Sequence, residues 1–413
     1  MGRKTAMTTT GRVLALLIFL VAACIPPSRP AAQATWSPPP NCIEGTQDSG
    51  SVYIICIPDE GQPPWNGKLL LYAHGYVAID RPIEIPMDQM FLPGPTGPIG
   101  VHDLVTSMGY AFAANSYSMN GLAVLPAIED LIDLVDIFES LKTTPTDVLL
   151  TGVSEGGLIT TLAIERHPDI FDGGLATCGP YGDFRAQVDY FGDSRVVFDY
   201  FFPGLMPEGP VSIPPDLMES WTTHFFSSTI EPAISDPTNA ISVTQFLTVM
   251  DASPYTFDPP TSTLTIERLL WYNVFATEDA KDKLGGQPFD NMTRIYSGSE
   301  DDAALNNGVV RIAADQTAID EIEAHYQTSG ALVRPLVTLH TTGDFVVPYW
   351  HATLYREKVA QAGSASLHRH IRSNVHGHCT FNALEVIAAF QALERMMQRR
   401  VHLPLLMQAT TAP

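Results

Sequence analysis

Basic residues are scarce in this chain: 23 Lys and Arg stand against 45 Asp and Glu, a formal net charge of −22. So acidic a surface repels polyphosphate backbones and anionic lipid, which argues against nucleic acid or a charged membrane face as partner. Cysteine is sparse too, at five in 413 residues. None stands in C-x-x-C, and no H-x-x-x-H spacing occurs, so a structural zinc site is not expected. The phosphate-cradling G-x-x-x-x-G-K-[ST] and the dinucleotide pattern G-x-G-x-x-G are both missing. The N-terminal apolar run VLALLIFLVAA, at 11 residues, is too short to span a bilayer comfortably. No internal repeat is present. What remains is 45% hydrophobic and 16% charged, the composition of a well-cored globular protein with one large domain and an insertion, or two domains.

The apolar run follows the basic, polar MGRKTAMTTTGR and ends V-A-A-C at Cys24, the layout of a secretory signal. Its end resembles the lipobox of bacterial lipoproteins. That resemblance implies lipidation of Cys24 and a membrane tether without a transmembrane helix. The alternative is an ordinary signal peptide cut later, for example after Ala34. The expectation is therefore an exported bacterial protein: a cell-envelope lipoprotein, or else periplasmic or secreted. Export makes disulfides chemically permissible. Cys42 and Cys56 flank the short polar stretch IEGTQDSGS between two strand-like runs, so a bridge clasping a hairpin is the natural pairing.

Along the chain, residues 1–24 form the signal and 25–40 (IPPSRPAAQATWSPPP) a Pro/Ala-rich tether. From Ser51 come strand-like SVYIICIP and KLLLYAHG, then a Pro/Gly-rich loop near 92–99, a short helix at 101–108 and a strand GYAFAANSY. Leu122–Leu141 has apolar residues at helical intervals; TDVLLTGV reads as a strand, GGLITTLAIERHP as a helix stopped by proline, and GGLATCG as another strand. The alternation resumes with PLVTLHTTGDFVVP, a helix from Trp350, a strand SLHRHIRS, the loop NVHGHCTF and a helix over 383–399. This pattern predicts an α/β architecture, a mostly parallel doubly wound sheet built from 41–180 and 334–400. Residues 181–333 carry aromatic-rich helical segments and read as an inserted cap; 401–413 reads as a C-terminal tail.

The chemistry gathers around LLTGVSEGGLI. With no lysine for a phosphate loop, the G-x-S-x-G pattern fits a nucleophile elbow, in which a sharp strand-to-helix turn presents Ser154 and only glycines tolerate the close packing around it. A serine hydroxyl needs a base to take its proton and a third group to orient that base. Asp344 follows a strand in LHTTGDFVVP, and His378 lies 34 residues later in NVHGHCTF. His376 is the rival base. His340 and His351 bracket the acid loop and are expected in supporting or surface roles.

Together, G-V-S-E-G-G, H-T-T-G-D-F-V-V-P and G-H-C-T-F resemble the α/β-hydrolase superfamily over roughly residues 50–180 and 334–400; the cap is unmatched. The resemblance implies a Ser154–His378–Asp344 triad that needs no metal or organic cofactor. It also implies an oxyanion hole from the N–H of Glu155 and, through His74-Gly75, that of Tyr76. In such a fold Cys178 and Cys379 sit at one edge of the sheet, so a disulfide between them is expected to fix the histidine loop, with two reduced core thiols as the alternative. Tannases and feruloyl esterases also place a cysteine after the catalytic histidine, but its partner directly precedes their serine, where this chain has Val153.

The cap is dense in aromatics, among them Tyr190, Phe191, Trp221, Trp271 and Tyr272, most of which are expected to be core. The expected activity is hydrolysis of a carboxylic ester, with a hydrophobic or aromatic small molecule or polymer fragment as substrate. A serine peptidase of the same fold is the alternative, with Glu155 or Asp189 holding a substrate ammonium. A non-catalytic surface binding protein is the third reading.

Overall fold

The computed structural model describes residues 41–58, 63–252 and 259–409. Cys24, the signal and the tether lie outside them. The described residues fall in one unit, Pro39–Pro413.

Ten strands form: β1 (Cys42–Thr46), β2 (Val52–Cys56), β3 (Lys68–Ala73), β4 (Phe91–Gly94), β5 (Gly97–Gly100), β6 (Ala111–Asn115), β7 (Asp147–Val153), β8 (Gly173–Thr177), β9 (Leu336–Gly343) and β10 (His368–His376). Eight make one sheet in the order β1-β2-β6-β3-β7-β8-β9-β10. β1 and β2 pair antiparallel, β2 meets β6 antiparallel, and every pairing from β6 to β10 is parallel. This is the strand order and direction of the α/β-hydrolase fold.

The central strands read as near-continuous apolar runs because helices cover both faces. In β3, Leu69, Leu70, Leu71 and Ala73 are buried, and β6 is buried throughout. The helix Val124–Leu141 turns Ala127, Ile128, Leu131, Leu134, Val135 and Phe138 inward at three- and four-residue spacing, which fixes it against the sheet. Each such Leu or Phe, fully buried, contributes roughly 1.5–3 kcal/mol.

Among the described residues, 181–333 hold helices and no strand. Phe184–Phe201 and Pro259–Lys283 are the long ones; Trp221–Ile230 is a π-helical stretch. Their aromatics form a second core around Phe198, Trp221, Phe246 and Phe275, and Phe345, Val346 and Val347 of the acid loop pack into it. The loop carrying Asp344 is thereby wedged between sheet and helices. Gln187 Nε2 donates to Val346 O at 3.0 Å and the Tyr190 hydroxyl to Phe345 O at 2.9 Å.

Two local expectations change. The Pro/Gly loop near 92–99 is a hairpin, β4–β5, with Leu92 opposite Ile99 and Pro93 opposite Pro98. An isolated two-stranded ribbon has edges that demand no N–H of proline, so Pro93 and Pro98 are tolerated there. The last helix also runs past Arg399, Ala383–Ala409, into the expected tail. No glycine follows Arg399 to end it. Among the described residues no helix is long and apolar enough to cross a membrane.

Candidate active site

Ser154 sits at the tip of the elbow between β7 and the helix Glu155–Arg166, with φ 57° and ψ −121°. For a residue with a Cβ this backbone state costs on the order of 1–3 kcal/mol and persists only where the surroundings enforce it. They do so here. Ser154 N donates to Thr177 O at 3.0 Å and Gly157 N to Ser154 O at 2.8 Å. A Cβ on Gly152 would stand 2.0 Å from the carbonyl oxygen of Gly156, and one on Gly156 2.0 Å from that of Ala73. No side chain fits at either place.

His378 Nε2 lies 2.8 Å from Ser154 Oγ, and its Nδ1 lies 2.8 Å from Asp344 Oδ2 and 3.0 Å from Oδ1. Asp344, only 6% exposed, accepts the N–H groups of Val346 (3.0 Å) and Val347 (2.9 Å) on Oδ1. These bonds aim the carboxylate at the imidazole. The histidine loop is tied back to the acid strand: Gly377 N donates to Gly343 O and Thr341 Oγ1 to Gly377 O. The structure thus brings Ser154, Asp344 and His378 into one hydrogen-bonded line.

The other histidines stand elsewhere. His376 ends β10, with its ring 5.3 Å from that of Phe345. His340 and His351 are fully buried. His340 bonds Tyr181 and Val347 O, and His351 bonds Gln187. Burial pushes both imidazoles below the ordinary range; His340 stands 3.7 Å behind Asp344 Oδ2.

The loop after β3 passes close to Ser154: a Cβ on Gly75 would come 3.0 Å from Ser154 Cβ. His74 stacks on Tyr117 with ring centroids 3.8 Å apart. It is pushed down to about 4 by burial and so stays neutral. Gln89 brackets this loop, accepting Gly75 N at 2.7 Å and donating to Tyr76 O at 3.3 Å. Sequence reasoning missed Gln89, since nothing local marks a glutamine 14 residues away as a splint. Tyr76 lines the cavity over Ser154, while its hydroxyl donates to Phe275 O at 3.1 Å. Glu155 is the first residue of its helix, where the backbone N–H has no intrahelical acceptor. Its carboxyl turns away, accepting Ala123 N at 3.0 Å. Burial raises its pKa to about 8.

A cavity of about 340 Å³ opens over Ser154 and His378, lined also by Tyr72, Tyr76, Phe91, Leu92 and Tyr272. Tyr272 is thus a cavity residue, where the sequence pattern pointed to core. The aromatic period of a buried helix does not distinguish its two fates.

Both expected disulfides form. Cys42 and Cys56 face each other across β1–β2. Cys178, directly after β8, joins Cys379 beside His378, with Cα atoms 5.5 Å apart and Cys379 Sγ 3.3 Å from His378 Nε2. Among the described residues, Cys178, His378 and Cys379 are the grouping with metal-ligand spacing. Their sulfurs are bonded to each other, so the grouping offers no thiolate.

The fold and site define the class: an α/β-hydrolase fold whose Ser154 turn and His378 loop open on one cavity, with Asp344 bonded behind His378. No protein-family model matches the sequence, and no curated protein does. Solved structures similar in shape include feruloyl esterase B from Aspergillus oryzae, at 12% identity and TM-score 0.44 over 81% of this chain and 73% of that one. A rice cell wall degrading esterase from Xanthomonas oryzae matches at 16% and 0.42, over 88% and 89%. An acylaminoacyl peptidase from Pyrococcus horikoshii matches at 11% and 0.41, over 86% of this chain but 40% of that one. The chain thus spans less than half the length of the acylaminoacyl peptidases it matches. These likenesses are weak, and strand order and direction carry the fold assignment.

Proposed function

We propose that the chain is a serine hydrolase acting on carboxylic esters with a compact apolar or aryl group. The observation that carries this reading is the 2.8 Å contact of Ser154 Oγ with a His378 that is itself held 2.8 Å from Asp344. In this reading Ser154 Oγ attacks the ester carbonyl while His378 Nε2 takes its proton. The carbonyl π pair moves onto oxygen, facing the N–H groups of Glu155 and Tyr76. Collapse of the tetrahedral species expels the alcohol, which receives the proton from His378. Water, deprotonated by the same imidazole, then releases the acid. Asp344 holds the imidazole in the tautomer that accepts this proton and stabilises the imidazolium.

The cavity supports a small substrate, since about 340 Å³ lies at the low end of ligand pockets. An aminopeptidase would need a carboxylate facing that cavity. Of the two acids considered, Glu155 is bonded to Ala123 N, and Asp189 to Asp290 N and Arg294. Neither lines the cavity, whereas Asp88 does, so turnover decides between the two. Parallel turnover of p-nitrophenyl acyl esters and aminoacyl-p-nitroanilides checks it: Ser154-dependent preference for the anilides would overturn the ester assignment. Absence of fluorophosphonate labelling on folded protein would favour a binding role.

Export with lipidation of Cys24 belongs to the same proposal, supported by the V-A-A-C end of the apolar run and by two disulfides that suit an oxidising compartment. Palmitate incorporation that survives Cys24→Ala would remove it.

A further inference from the structure

Behind the catalytic acid runs a second line of hydrogen bonds that ends on the same carboxylate. His340 lies on β9, and its Nδ1 stands 3.0 Å from the hydroxyl of Tyr181. Its Nε2 stands 2.8 Å from Val347 O, and Val347 N donates to Asp344 Oδ1 at 2.9 Å. The partners fix the protons. A carbonyl oxygen only accepts, so Nε2 carries the hydrogen; burial keeps the ring neutral, so Nδ1 accepts and Tyr181 donates. Donors thus converge on Asp344 from two sides. Tyr181, His340 and the Val347 peptide form one series, and Ser154 and His378 form the other. The rear series is closed to solvent, with Tyr181 1% exposed and His340 0%. Its ring is also fixed, with Tyr181 edge-on at 5.8 Å and Tyr349 edge-on at 5.9 Å.

Resting on the serine-hydrolase reading, we propose that His340 is a positioning residue for the catalytic acid: its Nε2–H, anchored through Tyr181, grips the Val347 peptide and so keeps the Asp344 carboxylate aimed at His378. Bonds in such a series polarise one another, so each is stronger than it would be alone. Val346 N supplies a further bond to Oδ1, so removing His340 loosens the carboxylate without freeing it. His340 Nε2 also stands 3.7 Å from Asp344 Oδ2, too far for a hydrogen bond. A neutral ring there leaves the carboxylate charge to His378, whereas an imidazolium would take a share of it. The surrounding titratable groups agree with a neutral ring. His351, on the next helix, and His370, on β10, are both pushed down by burial, and Tyr349 is a neutral phenol packed edge-on. Arg372, the register partner of His340 on β10, is exposed.

The experiment uses the full chain and two readouts: p-nitrophenyl ester turnover across pH, and the second-order rate of fluorophosphonate labelling, which needs no natural substrate. His340→Asn and His340→Gln are compared with wild type and Ser154→Ala. The Gln amide nitrogen falls where Nε2 stands and donates to Val347 O; that of Asn falls where Nδ1 stands and does not reach. We expect His340→Asn to lower kcat and labelling rate roughly 10–100-fold, with KM changing less than about twofold. The acid limb of kcat/KM is expected to move to lower pH, because a loosened carboxylate stabilises the His378 imidazolium less. His340→Gln is expected to recover most of the loss, to within about fivefold of wild type. In an Asp344→Asn background, His340→Asn is expected to cost less than about twofold further, since it acts through that carboxylate. Tyr181→Phe reads the same series where His340→Asn does not fold, with kcat expected to fall about threefold or more and the limb to move the same way. Wild-type kcat, an unmoved acid limb, equal loss in the Asn and Gln variants, or additive loss over Asp344→Asn would each overturn the role of His340. With Ser154→Ala inactive and unlabelled, the serine-hydrolase reading would still stand. Full activity in Ser154→Ala would overturn both.

Discussion

At the scale of single residues, the site separates into groups whose chemistry is legible and groups whose role depends on where the chain brings them. Ser154, Asp344 and His378 belong to the first. A nucleophile needs a base and the base an orienting acid, and few other residues of the right types sit at element ends in the right order. If the proposed mechanism holds, Ser154→Ala and His378→Ala each lower kcat by about 10⁴-fold or more on p-nitrophenyl esters. Asp344→Asn lowers it by about 10³–10⁴-fold and leaves measurable turnover, because the remaining donors and the binding site still act. His376→Ala is expected to stay within about threefold of wild type; loss there with activity retained in His378→Ala would reverse the choice of base. Gln89 and Tyr272 belong to the second group. Neither has a local pattern, because each is held by partners on other elements: Gln89 by Gly75 and Tyr76, Tyr272 by Phe191 and Tyr76.

Among the elements, the elbow was legible because sterics wrote it into the sequence. Gly152 and Gly156 have carbonyl oxygens where a Cβ would stand, so glycine is required at both. Gly152→Ala is expected to unseat the turn, with soluble yield, thermal midpoint and esterase turnover all falling. The histidine loop was legible in G-H-C-T-F, in its place after Asp344 and in its cysteine. Cys178 lies 201 residues from Cys379, and both take positive φ, 43° and 55°, so the bridge spans two tight turns at the sheet edge. We expect the Cys178→Ala/Cys379→Ala protein to retain its far-UV circular dichroism while kcat falls about tenfold or more, since small displacements of a catalytic base are costly. An undiminished kcat would limit the bridge to stability. The acid loop's clamp by Gln187 and Tyr190 was not legible at all. Side chains of a helix inserted between the strands secure a loop 155 and 159 residues further along the chain, and no periodicity announces that.

For the whole molecule, buried titratable groups set how stability varies with pH. His74 and His368 are pushed down to about 4, and His370 to about 3, each chiefly by burial. Their unfolded forms take up protons below the ordinary value near 6.5 while the folded forms do not, so stability is lost as pH falls below that value. Glu155 and Asp193 are raised, to about 8 and about 7, again chiefly by burial. Folded, they hold protons that the unfolded chain has released, so their contribution is lost as pH rises through 7 and 8. The thermal midpoint is therefore expected to peak near about pH 6.5 and to decline on both sides. Glu155→Gln, which can still accept the Ala123 N–H, is expected to flatten the alkaline limb. An unchanged slope between pH 6.5 and 8.5 in that variant would show that Glu155 does not titrate there.

The sequence by itself determined the α/β alternation, the serine at its glycine-fenced turn, the order of acid and histidine after it, and the cysteines that bridge. These follow from short-range rules: apolar period, steric demand at a turn, and the few side chains able to perform acyl transfer. Tertiary structure decided the rest. It turned the Glu155 carboxyl to Ala123 N, made a hairpin of a proline-rich loop, and brought Gln89 and Tyr272 to the cavity over Ser154. The physical reason is that a hydrogen bond or a ring stack depends on positions in space to within an ångström. Those positions are fixed by packing between segments tens to hundreds of residues apart, which no local pattern encodes.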